Sequence, residues 1–119
     1  MPNTSRLASS KVPPMTPRWV LPIVTALMLG ASVSAHAATI QITMENLVIS
    51  PAEASAKVGD TIEWINKDIF AHTTTARNGD WDVTLSPKKT VTSVLNKAGT
   101  VEYYCRFHPN MKATLVIAP

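Results

Sequence analysis

The stretch "CRFHPNM", residues 105–111, sets the only cysteine of the chain three positions before a histidine and six before a methionine. From the His and Met frequencies of this chain, that spacing would arise on the order of once in a thousand cysteines. Cys105, His108 and Met111 therefore read as a unit. The thiol falls at the end of the strand-like run "TVEYYC", with the other two on the loop before "ATLVIA" resumes. Three side chains with metal-binding atoms thus converge from one short turn.

The start of the chain bears on why the thiol is unpaired. Residues 1–18 carry Arg6, Lys11 and Arg18 without an acidic residue, and an apolar run follows from Trp19 to about Ala31. It ends in "ASVSAHAAT", where Ala35 and Ala37 give the small-x-small pattern of a cleavage site, the layout of a Sec-type secretory signal. A signal peptide is expected over residues 1–37, with the exported chain, residues 38–119, beginning at Ala38 and located in the periplasm. The alternative is an uncleaved anchor, but the strongly apolar part is short of the roughly 20 residues of a comfortable span, so no stable membrane insertion is expected.

Without the leader the charge argument changes. The full chain has 11 Lys and Arg against 8 Asp and Glu, and three of the cations are Arg6, Lys11 and Arg18, so the remainder is balanced. A balanced domain gives no support for nucleic-acid binding. It is also small enough that exported proteins of this size commonly rely on a disulfide or a metal. One cysteine cannot form an internal disulfide, so a metal is the expected staple.

The rest of the domain signals strands. "TIQITM" and "TIEWIN" alternate apolar and polar residues, while "TVTSVL", "TVEYYC" and "ATLVIA" are short runs rich in β-branched and aromatic residues. A further strand is expected through Ala56 to Val58. Turn formers separate them: Pro51, Gly59-Asp60, Asn78-Gly79, Pro87, Ala98-Gly99 and Pro109-Asn110. The expectation is an all-β, antiparallel β-sandwich in one domain.

Between Ala38 and the C-terminus the histidines are His72 and His108, and the methionines Met44 and Met111. A thiolate, two imidazoles and a weak axial thioether are the ligand set of a blue-copper centre. His72, six residues beyond "TIEWIN", is expected on a loop from the same end of the sandwich. Met44, by strand alternation, is expected in the core, and so are Trp64, Trp81 and Tyr103 as packing residues. Met111 as core filler is the competing account of that residue.

These motifs resemble the cupredoxins, and within them the amicyanin, pseudoazurin and plastocyanin branch. "CRFHPNM" is similar to the short amicyanin-type loop C-x-x-H-P-x-M, "VGDTIEWIN" to V-G-D-x-x-x-W-x-N, and "NGDWD" to D-G-x-F-D. The resemblance implies a Greek-key sandwich with one copper ion held by His72, Cys105, His108 and Met111. It also implies that Asn66 ties the histidine-bearing segment to the backbone near the cysteine. Ala71 and Thr73 depart from the proline and asparagine usual around the first histidine, which predicts a less rigid loop, and Ala113 and Val101 also differ from the pattern.

By that resemblance the protein is expected to be a monomeric electron carrier, not an enzyme, that docks transiently with a redox donor and acceptor. Ile69, Phe70, Phe107 and Pro109 would form an apolar patch around the His108 edge. A copper chaperone or storage protein is the alternative. The balanced charge leaves the sign of any docking surface open.

Overall fold

A computed structural model of the chain describes residues 36–119 without a break, and residues 10–15, 22–23, 25–26, 28 and 30–32 before them. It divides into two units, Met1–Ser32 and Val33–Pro119. In the first, the described residues carry no helix or strand, and the Met28 and Gly30 amides donate to the Ala26 and Met28 carbonyls. The leader expected over residues 1–37 lies largely outside the described residues. Among those described, no helix is long and apolar enough to cross a membrane.

In the second unit the strands are β1 (Thr39–Glu45), β2 (Val48–Ser50), β3 (Glu53–Lys57), β4 (Thr61–Asn66), β5 (His72–Ala76), β6 (Asp82–Leu85), β7 (Thr90–Val94), β8 (Gly99–Tyr104) and β9 (Lys112–Ala118). They form two sheets, ordered β2-β1-β4-β7 and β3-β9-β8-β5-β6. The all-β sandwich is as expected, but the sheets are mixed: β1 pairs parallel with β4, and β3 with β9. Alternation reports which face of a strand is buried and is blind to the direction of its neighbour, so the purely antiparallel expectation could not detect these two pairings.

Alternation does fix the core. Ile42 and Met44 of β1, Ile62 and Trp64 of β4, Val101 and Tyr103 of β8, and Leu115 and Ile117 of β9 all point inward and are buried. Trp64, Trp81 and Tyr103 pack with ring centroids 5.3 to 6.1 Å apart. The Tyr103 hydroxyl is buried without a hydrogen-bond partner, and burial pushes its pKa upward.

The inward rows also carry the chemistry. With a period of two, Val101 and Tyr103 are followed by Cys105, and Ile62 and Trp64 by Asn66. Each row ends in a buried polar or sulfur-bearing side chain at the same end of the sandwich. There the two-residue turn Asn46–Leu47 joins β1 to β2, with φ of 53° and 62°. Both residues occupy the left-handed region that this type of hairpin turn requires, a conformation unusual for leucine.

Candidate metal centre

Cys105 follows β8 directly and is fully buried. Its loop is tight: the Cys105 amide donates to the Met111 carbonyl at 3.0 Å, His108 to Cys105 at 3.3 Å, and Met111 to His108 at 2.8 Å. These bonds turn the chain back from β8 into β9 and hold His108 close to the thiol. His72 opens β5, paired with Leu85 of β6, and is fully buried. It is therefore a strand residue and not the loop residue expected from the sequence.

The two imidazoles meet the thiol symmetrically. His72 Nδ1 and His108 Nδ1 each lie 3.7 Å from Cys105 Sγ, and the rings stand 68° apart with centroids separated by 5.1 Å. The ligand atoms of all three residues lie within 4.8 Å of one another. Imidazole and thiolate donors about 2.0 to 2.3 Å from a first-row metal, spread about 120° in a plane, stand about 3.7 Å apart. The group can hold one copper ion. Met111 is buried beside it, lining with Leu47, Phe107, His108, Pro109 and Asn110 a depression over the His108 edge.

Asp68, a residue the sequence did not single out, orients His72. Its Oδ2 lies 2.7 Å from His72 Nε2 in a buried contact, so the ring donates there and its Nδ1 lone pair faces the thiol. The same carboxylate accepts from the amides of Asn46 at 2.7 Å and Leu47 at 3.2 Å, which offsets the strain of that turn. Burial works to raise the Asp68 carboxyl, but the hydrogen bonds from His72, Asn46 and Leu47 outweigh it and hold it below the ordinary carboxylate range.

Asn66 works differently from the role implied by the resemblance. Its Nδ2 donates to the carbonyls of Phe70 at 2.7 Å and of Leu85 and Ser86 at 3.2 Å, and its Oδ1 accepts from the Asp68 amide at 2.9 Å. It binds the loop before His72 to the end of β6, not to the backbone near the cysteine. That tie is made by Thr73, whose Oγ1 accepts from the Arg106 amide at 2.8 Å while its own amide donates to Cys105 Sγ at 3.3 Å. Thr73 is fully buried and also bonded to Thr75. The segment expected to be less rigid is fastened on both sides.

Outside the thiol lies an apolar surface. Ile69 is 72% exposed, Phe70 and Phe107 about half, and Pro109 is exposed, while His108 is half-buried with its ring 6.3 Å from that of Phe70. Leu47, exposed and lining the same depression as Phe107 and His108, extends the patch and was not foreseen. A β-branched or aliphatic residue in a hairpin ordinarily reads as strand, and nothing local marks it as surface.

The family model of the cupredoxin-like domain matches residues 19–117. The chain belongs to the cupredoxin-like family. Among solved structures, this cupredoxin is similar to a reduced amicyanin variant at 26% identity, with 66% of this chain and 81% of that one covered and a TM-score of 0.58. It is similar to a purple cupredoxin from Nitrosopumilus maritimus at 24% identity, covering 66% and 99%, with a TM-score of 0.59. A copper-containing nitrite reductase from Thermus scotoductus SA-01 shares the fold at 21% identity and a TM-score of 0.61, but only 22% of that chain is covered. No curated protein matches the chain.

Proposed function

We propose that this cupredoxin is a periplasmic electron carrier, shuttling single electrons between redox proteins through one copper ion that His72, Cys105 and His108 would hold, with Met111 as a fourth ligand from the same loop. The observation that carries the proposal is the pair of imidazole nitrogens, each 3.7 Å from one buried thiol, with one of the two rings reaching an apolar surface.

Copper, when bound, supplies the one-electron couple between Cu(I) and Cu(II). The chain supplies the rest. Asp68 and Thr73 hold His72 and Cys105 in place from the buried side, so the donors need little movement to serve either oxidation state. The exposed apolar residues around His108 suit brief docking over a small area. The proposal is a monomeric carrier without catalysis of its own.

Loading the purified protein with Cu(II) should give an intense thiolate-to-copper absorption band, with a matching EPR signal. Cys105→Ser should abolish the band, whereas Met111→Leu should shift it without removing it. Colour that survives in the serine variant refutes the site.

A further inference from the structure

The positive charge of the domain is not spread evenly. Lys67 follows β4 directly, and the turn at residues 86–89 lies against it: the Lys88 amide donates to the Asp68 carbonyl at 3.2 Å, the Lys88 ammonium donates to the Lys67 carbonyl, and the Lys89 carbonyl accepts from the Asn66 amide at 3.0 Å. Three exposed lysines from two segments, 21 and 22 residues apart in sequence, are thereby gathered beside Ile69 and Phe70.

They gather without counter-charge. Among the described residues the ion pairs are His72–Asp68, Arg77–Glu102, Lys97–Asp80 and Arg106–Asp82, so none of the three lysines has a carboxylate within 4.0 Å. Asp68, the carboxylate between Lys67 and Ile69, is turned inward with both oxygens engaged. Glu45, exposed at the end of the neighbouring strand, forms no pair with them. Like charges held together cost stability and create a local positive potential that raises the arrival rate of anions.

We infer that the cupredoxin docks onto a redox protein whose contact face is acidic, with Lys67, Lys88 and Lys89 steering the approach and the Phe70–His108 surface making the contact. The inference rests on the proposed carrier role, which supplies the reason for a protein partner: a lysine cluster alone would also suit an anionic lipid, but a lipid headgroup takes no electron from the ring beside it. The cluster adds a sign to a surface whose apolar part has none.

Two arms test it. In the first, amide chemical shifts of the intact protein are followed during titration with hexacyanocobaltate(III), a redox-inert trianion, and with hexaamminecobalt(III), a trication. The trianion should shift amides at residues 66–70 and 86–89, and the trication should not. Lys67→Gln combined with Lys88→Gln and Lys89→Gln should remove those shifts while the circular dichroism and melting temperature stay close to those of the parent, because all three side chains are exposed. This arm needs no bound copper, so it remains informative if the metal centre fails.

In the second arm, the reduced copper-loaded protein gives one electron to hexacyanoferrate(III), yielding Cu(II) and hexacyanoferrate(II). The rate should fall as salt is added, and the triple variant should be about tenfold slower at low salt and nearly insensitive to it. Trianion shifts centred on Lys57 or Lys97, or a triple variant that keeps both the shifts and the salt dependence, overturn the inference. Lysine-dependent binding to phosphatidylglycerol vesicles under the same conditions would overturn it in favour of a membrane surface.

Discussion

The two ends of the sandwich are built on opposite rules. At the end that carries Cys105, polar side chains lie inside (Asn66, Asp68, His72 and Thr73 are all buried) while Ile69, Phe70, Phe107 and Leu47 face outward. At the far end the order is closer to the usual one, with the buried Asp60 and the exposed Val58 and Val94 as exceptions. Arg77 meets Glu102 at 3.4 Å and Lys97 meets Asp80 at 3.7 Å, both at the surface, and Gly59 and Gly79 take the positive φ of their turns. Buried polar groups are tolerated only when satisfied, and at the thiol end each of the four has a partner. The inversion therefore marks where the domain gives up ordinary surface design for chemistry.

The strongest way to break this contrast is to remove a buried ligand. His72→Ala should abolish most of the stabilisation that copper gives the parent, a gain of about 4 kcal/mol when free copper is a thousandfold above its Kd. Differential scanning calorimetry with and without copper measures it; equal gains in parent and variant would mean His72 is not a ligand.

Next in size is Asn66→Ala, which strips partners from the carbonyls of Phe70, Leu85 and Ser86. Orphaned buried groups cost about 1 to 3 kcal/mol, and the loss should appear in urea denaturation. Hydrogen exchange should quicken at residues 67–71 and 86–89 while the far end keeps its protection. Uniform acceleration at both ends would show that they do not differ in this respect.

Asp60 probes the far end. The amides of Ala38 and Lys57 donate to its two oxygens and hold its carboxyl below the ordinary carboxylate range. Its contribution is thus fully present above the unfolded value, near pH 4, and disappears as pH falls through the lowered folded value. Asp60→Asn should narrow the difference between melting temperatures at pH 7 and pH 3, followed by circular dichroism. An unchanged difference would place the acid sensitivity elsewhere.

The smallest effect is expected for Lys97→Ala. An exposed ion pair contributes about 1 kcal/mol at most, so chemical denaturation should barely distinguish the variant from the parent, and its copper spectrum should be unchanged.

The same division explains what could be seen in the sequence. Strands β1, β4, β7, β8 and β9 carry alternating or β-branched apolar residues, and each was expected close to where it lies. β5 was missed because "HTTTA" looks like polar loop, yet Thr73 and Thr74 are buried there, their hydroxyls bonded to Thr75, Trp81 and the Arg106 amide. The spacing of Cys105, His108 and Met111 is local and legible. The role of Asp68 is not, because it depends on an amide pair 21 and 22 residues away. Lys67 and Lys88 look like two scattered surface charges until the fold puts one against the other, and for the same reason the balanced total hid a one-sided distribution.

One contact at the far end joins the fold to the history of the chain. The nitrogen that reaches Asp60 Oδ1 at 2.8 Å belongs to Ala38, one residue ahead of β1. While the leader is attached, that nitrogen is an ordinary amide. If the leader is cut after Ala37, as the proposed export requires, it becomes an ammonium, and a charge-assisted bond of this kind is about twice as strong as a neutral one. Proteolysis would then install a cation opposite a carboxylate already waiting in the folded domain. Cleavage at that point would tie down the new terminus as it is made and would tighten the end of the domain opposite Cys105.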